Sequence, residues 1–243
     1  MRPPGWHTLK RVEQQKNIPN PGFADDDGTA DPRLTAALAA WQQSGTGEPE
    51  VLAALTGSRL MVPIVALLGE VEVDAHGHKH EKTSDMAVPV IEAPDGRRAL
   101  PAFTSLASMA AWRADARPAP VAAPQAAMVA YSERADTLLV DPAGPVTYTL
   151  TGARLRAVAE NRPYLPPAED PDVRAAVQAL VEAEPAVLRA ELRPGTETDA
   201  VLALSLAEGT AVQELAQRLA TALAADDTLR VRLDRGLDLA LLG

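Results

Sequence analysis

Three histidines lie at alternate positions, His76, His78 and His80, and they are the residues that most strongly suggest a metal site. In an extended segment their imidazoles would face one side, and imidazole is a good ligand for Zn²⁺, Ni²⁺ and Cu²⁺. Gly77 and Lys79 are interleaved in a polar loop, and no nearby residue supplies the outer hydrogen bonds that metal-bound histidines usually have. We therefore favour a solvated hairpin loop over a metal site, and we predict no bound cofactor.

A second candidate site combines hydroxyl and charged side chains around the ends of two predicted strands. The N-terminus of the helix that follows could add backbone N–H groups, which attract anions. A small anionic ligand bound by residues 82–85 and 97–105 is therefore one hypothesis, and a hairpin followed by a helix cap is the simpler alternative. The candidate ligand-binding residues are Lys82, Ser84, Asp85, Arg97, Arg98, Thr104 and Ser105.

The run Asp25-Asp26-Asp27-Gly28 resembles a calcium loop only in its composition. An EF-hand loop has its glycine at the sixth position, whereas Gly28 is fourth when Asp25 is counted as the first ligand. We interpret the run as an acidic turn before a helix. The sequence also contains no glycine-rich phosphate loop and no nucleophile elbow. We identify no catalytic residues, and we expect a protein that is not an enzyme.

Composition excludes several classes of protein. The chain has 243 residues and no cysteine, which excludes a disulfide scaffold, a thiolate zinc site, an iron–sulfur cluster and a cysteine nucleophile. Aromatic residues make up 3% and the net charge is -10, whereas nucleic-acid binding needs cations and stacking rings. No apolar run approaches the roughly 18 residues of a membrane span. We therefore expect a cytoplasmic protein that contacts neither nucleic acid nor membrane.

The spacing of apolar residues predicts the elements that position these side chains. After an extended N-terminal arm, residues 1–30, a helix begins at Asp31-Pro32, where the acid can cap and the proline suits the first turn. Strand-like runs between residues 60 and 103 predict an antiparallel meander that includes one strand from 86 to 93. Four prolines between residues 162 and 171 predict a linker.

The predicted fold class is α+β or α/β, with two domains. Residues 31–161 should form an antiparallel-rich mixed sheet with flanking helices. Residues 172–243 follow the order α-β-β-α-β, which predicts a small antiparallel sheet with one face under two helices. Its last strand is either 229–233 or 237–242.

A set of short motifs, each common by itself, forms a specific combination. The motifs are Ile18-Pro19-Asn20, Phe23-Ala24-Asp25-Asp26-Asp27-Gly28, Asp31-Pro32, Leu60-Met61-Val62-Pro63, Glu81-Lys82-Thr83-Ser84-Asp85-Met86-Ala87, Leu100-Pro101-Ala102-Phe103-Thr104-Ser105, Trp112 and Val140-Asp141-Pro142-Ala143-Gly144-Pro145. Together they resemble the SseB family of bacterial proteins, named for enhanced serine sensitivity, in its high-GC branch. The resemblance covers most of the chain and is stronger before the linker than after it.

The resemblance implies an SseB N-terminal domain and a smaller SseB C-terminal domain. It also implies a family without an established activity or agreed catalytic residues. An association with sulfur transfer cannot make this chain a persulfide carrier, because it has no cysteine.

We therefore expect a non-enzymatic, cytoplasmic protein-interaction or regulatory module with an unidentified protein partner. Binding of a small anionic ligand through the 82–85 and 97–105 loops is the first alternative. A metal-assisted hydrolase on the His76–His80 loop is the second.

Overall fold

The computed structural model describes residues 8–10, 23, 25–67, 71–73, 79–81 and 85–242; for 8–10, 67, 71–73, 79–81 and 85 it describes the backbone alone. The chain divides into two compact units, Met1–Pro163 and Tyr164–Gly243. The division falls inside the proline-rich segment that the sequence predicts as a linker.

Helices flank mixed and antiparallel sheets, so the α+β class predicted from the sequence is confirmed. None of the described helices has the length and apolar composition needed to cross a membrane. The elements of the first unit are β1 (Thr8–Lys10), α1 (Pro32–Ser44), α2 (Glu48–Thr56), β2 (Arg59–Leu67), β3 (Val71–Val73), β4 (Lys79–Glu81), β5 (Asp85–Ala87), β6 (Val90–Glu92), β7 (Arg98–Ala102), α3 (Leu106–Trp112), β8 (Arg117–Ala122), α4 (Ala123–Ser132), β9 (Thr137–Val140), β10 (Tyr148–Thr151) and α5 (Gly152–Ala159).

The main sheet of this unit has five strands in the order β1-β6-β7-β9-β10. Strands β7 and β9 are parallel, with Ala99 opposite Thr137 and Ala102 opposite Val140, and the other neighbours are antiparallel. A parallel pair needs a crossover connection, which α3, β8 and α4 supply here. The carboxyl ends of β7 and β9 therefore lie side by side, and the loops that leave them begin next to each other.

The N-terminal arm contributes one edge strand to this sheet. Residues Thr8, Leu9 and Lys10 of β1 pair with the backbone of β6, although the sequence predicts little regular structure in this arm. Backbone pairing needs no side-chain pattern, so a three-residue edge strand gives little signal in the sequence.

The predicted strand 86–93 is two strands in the structure. Strand β5 pairs with β2 in a three-stranded sheet, β5-β2-β8, whereas β6 pairs with β7 in the five-stranded sheet. Pro89 lies between them, and proline has no N–H to donate to a neighbouring strand. Residues 60–103 therefore do not form one meander. The two sheets meet where Met61 and Phe103 exchange backbone hydrogen bonds of 2.7 and 3.0 Å.

Alanines bring α4 close to the sheet. The buried residues of this helix are spaced as one helical face, and small side chains allow close approach to the strands beneath. Large side chains fill the core elsewhere. The Phe103 ring lies 5.3 Å from that of Trp112, and Trp41 meets Tyr148 edge-on at 5.0 Å. The buried residues of α4 are Ala123, Ala126, Ala127 and Ala130.

The second unit has one small sheet under three helices. Its strands lie in the order β11-β12-β13, with an antiparallel and a parallel pair, so the sheet is mixed rather than antiparallel. The last strand corresponds to the 237–242 alternative, because residues 229–232 are helical. The elements are α6 (Pro171–Glu182), β11 (Val187–Pro194), β12 (Ala200–Leu206), α7 (Val212–Ala225), α8 (Asp227–Arg232) and β13 (Leu237–Leu241).

Aliphatic side chains alone fill the core of this unit. Residues at every fourth position of α6 and α7 form two apolar rows, which pack over Leu202 and Leu204 of the central strand. The rows are Val173, Val177 and Val181 on α6, and Leu215, Leu219 and Leu223 on α7.

Candidate functional site

Two loops meet at the carboxyl ends of the parallel strands β7 and β9. Thr104 lies two residues beyond β7, and Asp141 follows β9 directly. The Thr104 N–H donates to Asp141 Oδ1 at 2.9 Å, and the Thr104 hydroxyl donates to Oδ2 at 2.6 Å. Both residues are buried, with 5% and 4% of their surface exposed. One threonine therefore provides hydrogen-bond donors for both oxygens of a buried carboxylate.

The turn that follows β9 aims this carboxylate at Thr104. Asp141 has a φ of 48°, a left-handed conformation that Asp and Asn adopt more readily than most residues. Its carbonyl oxygen accepts hydrogen bonds from the Gly144 N–H at 2.9 Å and the Thr147 hydroxyl at 3.0 Å. Burial raises the pKa of the Asp141 carboxyl above its ordinary value, and hydrogen bonds from Thr104 and Ser108 oppose that rise.

Arg59, the first residue of β2, links Thr104 to the N-terminal segment. Its guanidinium donates to the carbonyl oxygens of Thr104 and Thr29, and to both carboxylate oxygens of Asp26, with Nη2–Oδ1 at 2.9 Å. The side chains of Arg59 and Asp26 are 10% and 12% exposed. The hydrogen bond from Arg59 lowers the pKa of the Asp26 carboxyl. We call the chain Asp26–Arg59–Thr104–Asp141 the Thr104 network.

Gly28 fixes the N-terminal segment against α3. Its carbonyl accepts the Leu106 N–H at 2.9 Å, and its own N–H donates to Asp26 Oδ1 at 2.7 Å. The φ of Gly28 is +79°, and a Cβ here would lie 2.3 Å from Leu106 Cδ1. The acidic run is thus a turn that docks on a helix, with its second carboxylate directed at Arg59.

The Thr104 network holds several segments of the first unit together. Arg59 donates to oxygens of Asp26, Thr29 and Thr104, and both Asp141 oxygens accept from Thr104. Within the described part of the chain, no buried side-chain nitrogen or oxygen lacks a hydrogen-bond partner. The network joins the N-terminal turn, the start of β2 and the two loops beyond β7 and β9.

The structure separates the residues of the predicted anion site. Arg98 begins β7 and Arg97 precedes it, whereas Thr104 and Ser105 lie beyond the other end of this strand, whose two ends are about 13 Å apart. Arg97 pairs with Asp95 in an exposed turn, with Nε–Oδ2 at 2.7 Å. Ser105 caps α3 by accepting a backbone N–H of its first turn at 3.0 Å. Thr104 therefore meets Asp141 and not the two arginines.

The other predicted site residues lie outside the described residues or have only their backbone described. Lys82, Ser84, His76 and His78 are outside them. His80 lies in β4 and Asp85 begins β5, each known by its backbone alone. In the part of the chain with described side chains, no three His, Asp or Glu residues are placed to share a metal ion.

A model of the SseB protein N-terminal domain matches residues 34–157, half of the chain. The chain belongs to the SseB family. The matched range contains Arg59, Thr104 and Asp141, so most of the Thr104 network lies inside the SseB domain, whereas Asp26 and the second unit lie outside it. Comparisons with curated proteins and with solved structures found no match.

Arg59 is the one member of the Thr104 network that sequence reasoning missed entirely. Asp26, Thr104 and Asp141 stood in motifs, but as parts of separate turns. Arg59 is the only Lys or Arg between Arg33 and Lys79, and it immediately precedes a buried apolar strand. A lone cation at such a position signals a buried carboxylate partner, because buried charges are paired. Its partner could not be chosen from the sequence, since Asp26 is 33 positions away.

Proposed function

We propose that this SseB-family protein is a non-enzymatic interaction module that docks a partner protein through the outer face of α4. The observation that carries the proposal is a pair of exposed apolar side chains, Met128 at 56% and Tyr131 at 41%. They are three residues apart and therefore neighbours on one helix face. Pro124, one turn before Met128, continues the same stripe.

This stripe has the residue composition of a protein interface, and it lies on a helix that is held against the sheet. Methionine and tyrosine are enriched where proteins meet, because both bury a large apolar surface and adapt to a partner. A single exposed apolar residue is common, but two adjacent ones on a fixed helix form a patch. The alanine face of α4 packs on the sheet, so the patch is presented on a rigid element. The Thr104 network supports the proposal, because its polar groups are engaged within the protein.

A cytoplasmic location belongs to the same proposal. The cysteine-free sequence supports it, because a protein of the reducing cytoplasm needs no disulfide.

Affinity purification of the tagged full-length protein from native lysate tests the α4 proposal. The variant Met128→Glu/Tyr131→Glu places two charges in the patch, and Ala36→Glu/Ala40→Glu places two charges on exposed positions of α1 as a matched control. We expect partners that copurify with the wild type and the control to be lost from the α4 variant. Retention of all partners by the α4 variant, with unchanged circular dichroism, would contradict the proposal, as would a monomer without specific partners.

A further inference from the structure

A groove in the second unit lies between α6 and the edge strand β11 and has a volume of about 560 Å³. Arg174, Val177 and Gln178 line it from α6, and residues 190–193 line it from β11. Val177 and Leu202 are buried at 4% and 0%, so they form an apolar floor beneath a more polar rim.

Strand β11 is an edge strand, and some of its backbone N–H and C=O groups point away from β12, toward the side of the groove. Among the described strands, none pairs with the side of β11 opposite β12. The Ala207 N–H donates to the Ala186 carbonyl at 2.9 Å, and a bulge follows between Val187 and Arg189. Hydrogen-bonded pairs alternate along an antiparallel ladder, so residues 190 and 192 direct their N–H and C=O away from β12.

Pro194 supports this assignment of which β11 residues form hydrogen bonds with β12 and which do not. It stands opposite Ala200, and a proline without an N–H belongs at a position that does not donate to the neighbouring strand. The bulge at one end and Pro194 at the other confine the open edge to about five residues. The edge is therefore suited to a short added strand and not to an extended sheet.

The lining of the groove is positive on balance in an otherwise acidic unit, because Arg174 and Arg193 line it together with one carboxylate, that of Glu191. From residue 169 to the end the chain has seven Arg and no Lys, against fourteen Asp and Glu. Three of these arginines lie on α6 and β11: Arg189 and Arg193 share the single carboxylate of Glu191, and Arg174 has no ion pair with a described residue. Such a concentration of like charge selects an anionic partner and speeds its association.

We propose that this groove binds an extended acidic segment of a partner polypeptide, which adds a strand to the edge of β11. Backbone hydrogen bonds to residues 190 and 192 would supply affinity, as in other cases of strand addition. Alternate side chains of the segment would face the apolar floor at Val177 and Leu202. The carboxylates between them would face the other side of the sheet and meet Arg193, because side chains alternate along a strand. Arg174, at the rim of the groove on α6, would add to the positive potential. The inference does not depend on the α4 surface, which lies in the other unit.

Fluorescence anisotropy with the full-length protein tests this proposal. The probe is a labelled eight-residue peptide of alternating Glu and Val, compared with a Lys and Val peptide and with a Glu and Val peptide N-methylated at alternate residues. We expect the first peptide alone to bind, and more weakly as salt rises. We expect Arg174→Glu to weaken binding at least tenfold, whereas Arg230→Glu, an exposed charge reversal on α8, leaves it unchanged.

Equal binding of the Lys and Val peptide, or full binding of the N-methylated peptide, would overturn the proposal. So would no binding of the Glu and Val peptide at millimolar concentration, or no effect of Arg174→Glu. The proposal would also be overturned if the wild type forms a dimer in sedimentation experiments and Arg174→Glu abolishes that dimer. A second copy of the chain would then occupy the groove. The variant Met128→Glu/Tyr131→Glu should bind the peptide as tightly as the wild type does. A failure of the groove proposal can therefore be told apart from a failure of the α4 proposal.

Discussion

The N–H and the hydroxyl of Thr104 both donate to the carboxylate of Asp141, at 2.9 and 2.6 Å. This pair joins the loop beyond β7 to the loop beyond β9, and the two residues are 37 positions apart. Two motifs that the sequence analysis treats separately, Phe103-Thr104-Ser105 and Asp141-Pro142-Ala143-Gly144-Pro145, are therefore joined by this pair. Arg59 extends it to the acidic turn that contains Asp26.

Removing the Asp141 carboxylate should destabilise the first unit substantially. Asp141→Ala leaves the buried Thr104 N–H without an acceptor and puts alanine at a φ of 48°, so we expect a loss of about 2–4 kcal/mol in the free energy of unfolding. Asp141→Asn tolerates this φ and keeps one acceptor, so its loss should be about half as large. Urea denaturation measures both. Equal stability of Asp141→Ala and the wild type would contradict the role of the Thr104 network.

Asp141 should also give the wild type a particular pH dependence. Burial raises its pKa from an ordinary value of 3.8, so the folded state binds the proton more tightly than the unfolded state. The stability of the wild type relative to Asp141→Asn should be greatest below pH 3.8 and should fall as the pH rises through the raised pKa. Unfolding free energies of the two proteins across the acid and neutral range measure this difference. A difference that does not change with pH would refute it.

Asp26 should show the opposite dependence. The hydrogen bond from Arg59 lowers its pKa below 3.8, so its contribution is present above that pH and is lost as the pH falls through the lowered pKa. At neutral pH we expect Asp26→Asn to cost about 2 kcal/mol, because Arg59 is left buried without its counter-charge. Asp25→Asn, at an exposed neighbouring position, is the control. Acid titrations followed by circular dichroism should converge for wild type and Asp26→Asn at the lowest pH.

Gly28 should tolerate a side chain less well than another left-handed glycine. Gly28→Ala combines a φ of +79° with a clash against Leu106, whereas Gly45→Ala has a φ of +67° and open space around it. We expect losses of about 2–3 kcal/mol and about 1 kcal/mol respectively in thermal or urea unfolding. Leu106→Ala in the Gly28→Ala background should recover part of the loss. Equal losses at the two glycines would show that the contact with Leu106 contributes nothing.

An ion pair within the second unit should stabilise that unit alone. Arg232 donates to Asp170 at 2.6 Å, and the buried Asp170 carboxylate also caps α6 by accepting the Asp172 N–H at 2.9 Å. Arg232→Met should therefore cost about 2–3 kcal/mol, whereas Arg230→Met, at an exposed position, should cost less than about 0.5 kcal/mol. Hydrogen exchange with mass spectrometry should show lost protection in residues 164–243 only. Comparable loss in residues 1–163 would contradict an effect confined to the second unit.

Features that depend on neighbouring residues were predictable from the sequence. The side chain of Asp31 caps α1 by accepting the Arg33 N–H at 2.7 Å, because capping needs only a short polar side chain at the right offset. Features that depend on strand partners were not. Pro89 divides one predicted strand between two sheets, and alternating apolar residues carry no information about which sheet receives them.

The sequence by itself determined the α+β class, the cap of α1 and the membership of the SseB family, because each follows from local residue patterns. Only the tertiary structure decided that Thr104 meets Asp141 rather than Arg98, and that Arg59 joins them to Asp26. Thr104 and Arg98 are close in sequence but lie at opposite ends of β7, whereas Thr104 and Asp141 are distant in sequence but leave neighbouring parallel strands at the same end. Strand order is set by packing of the whole unit, which no local pattern encodes.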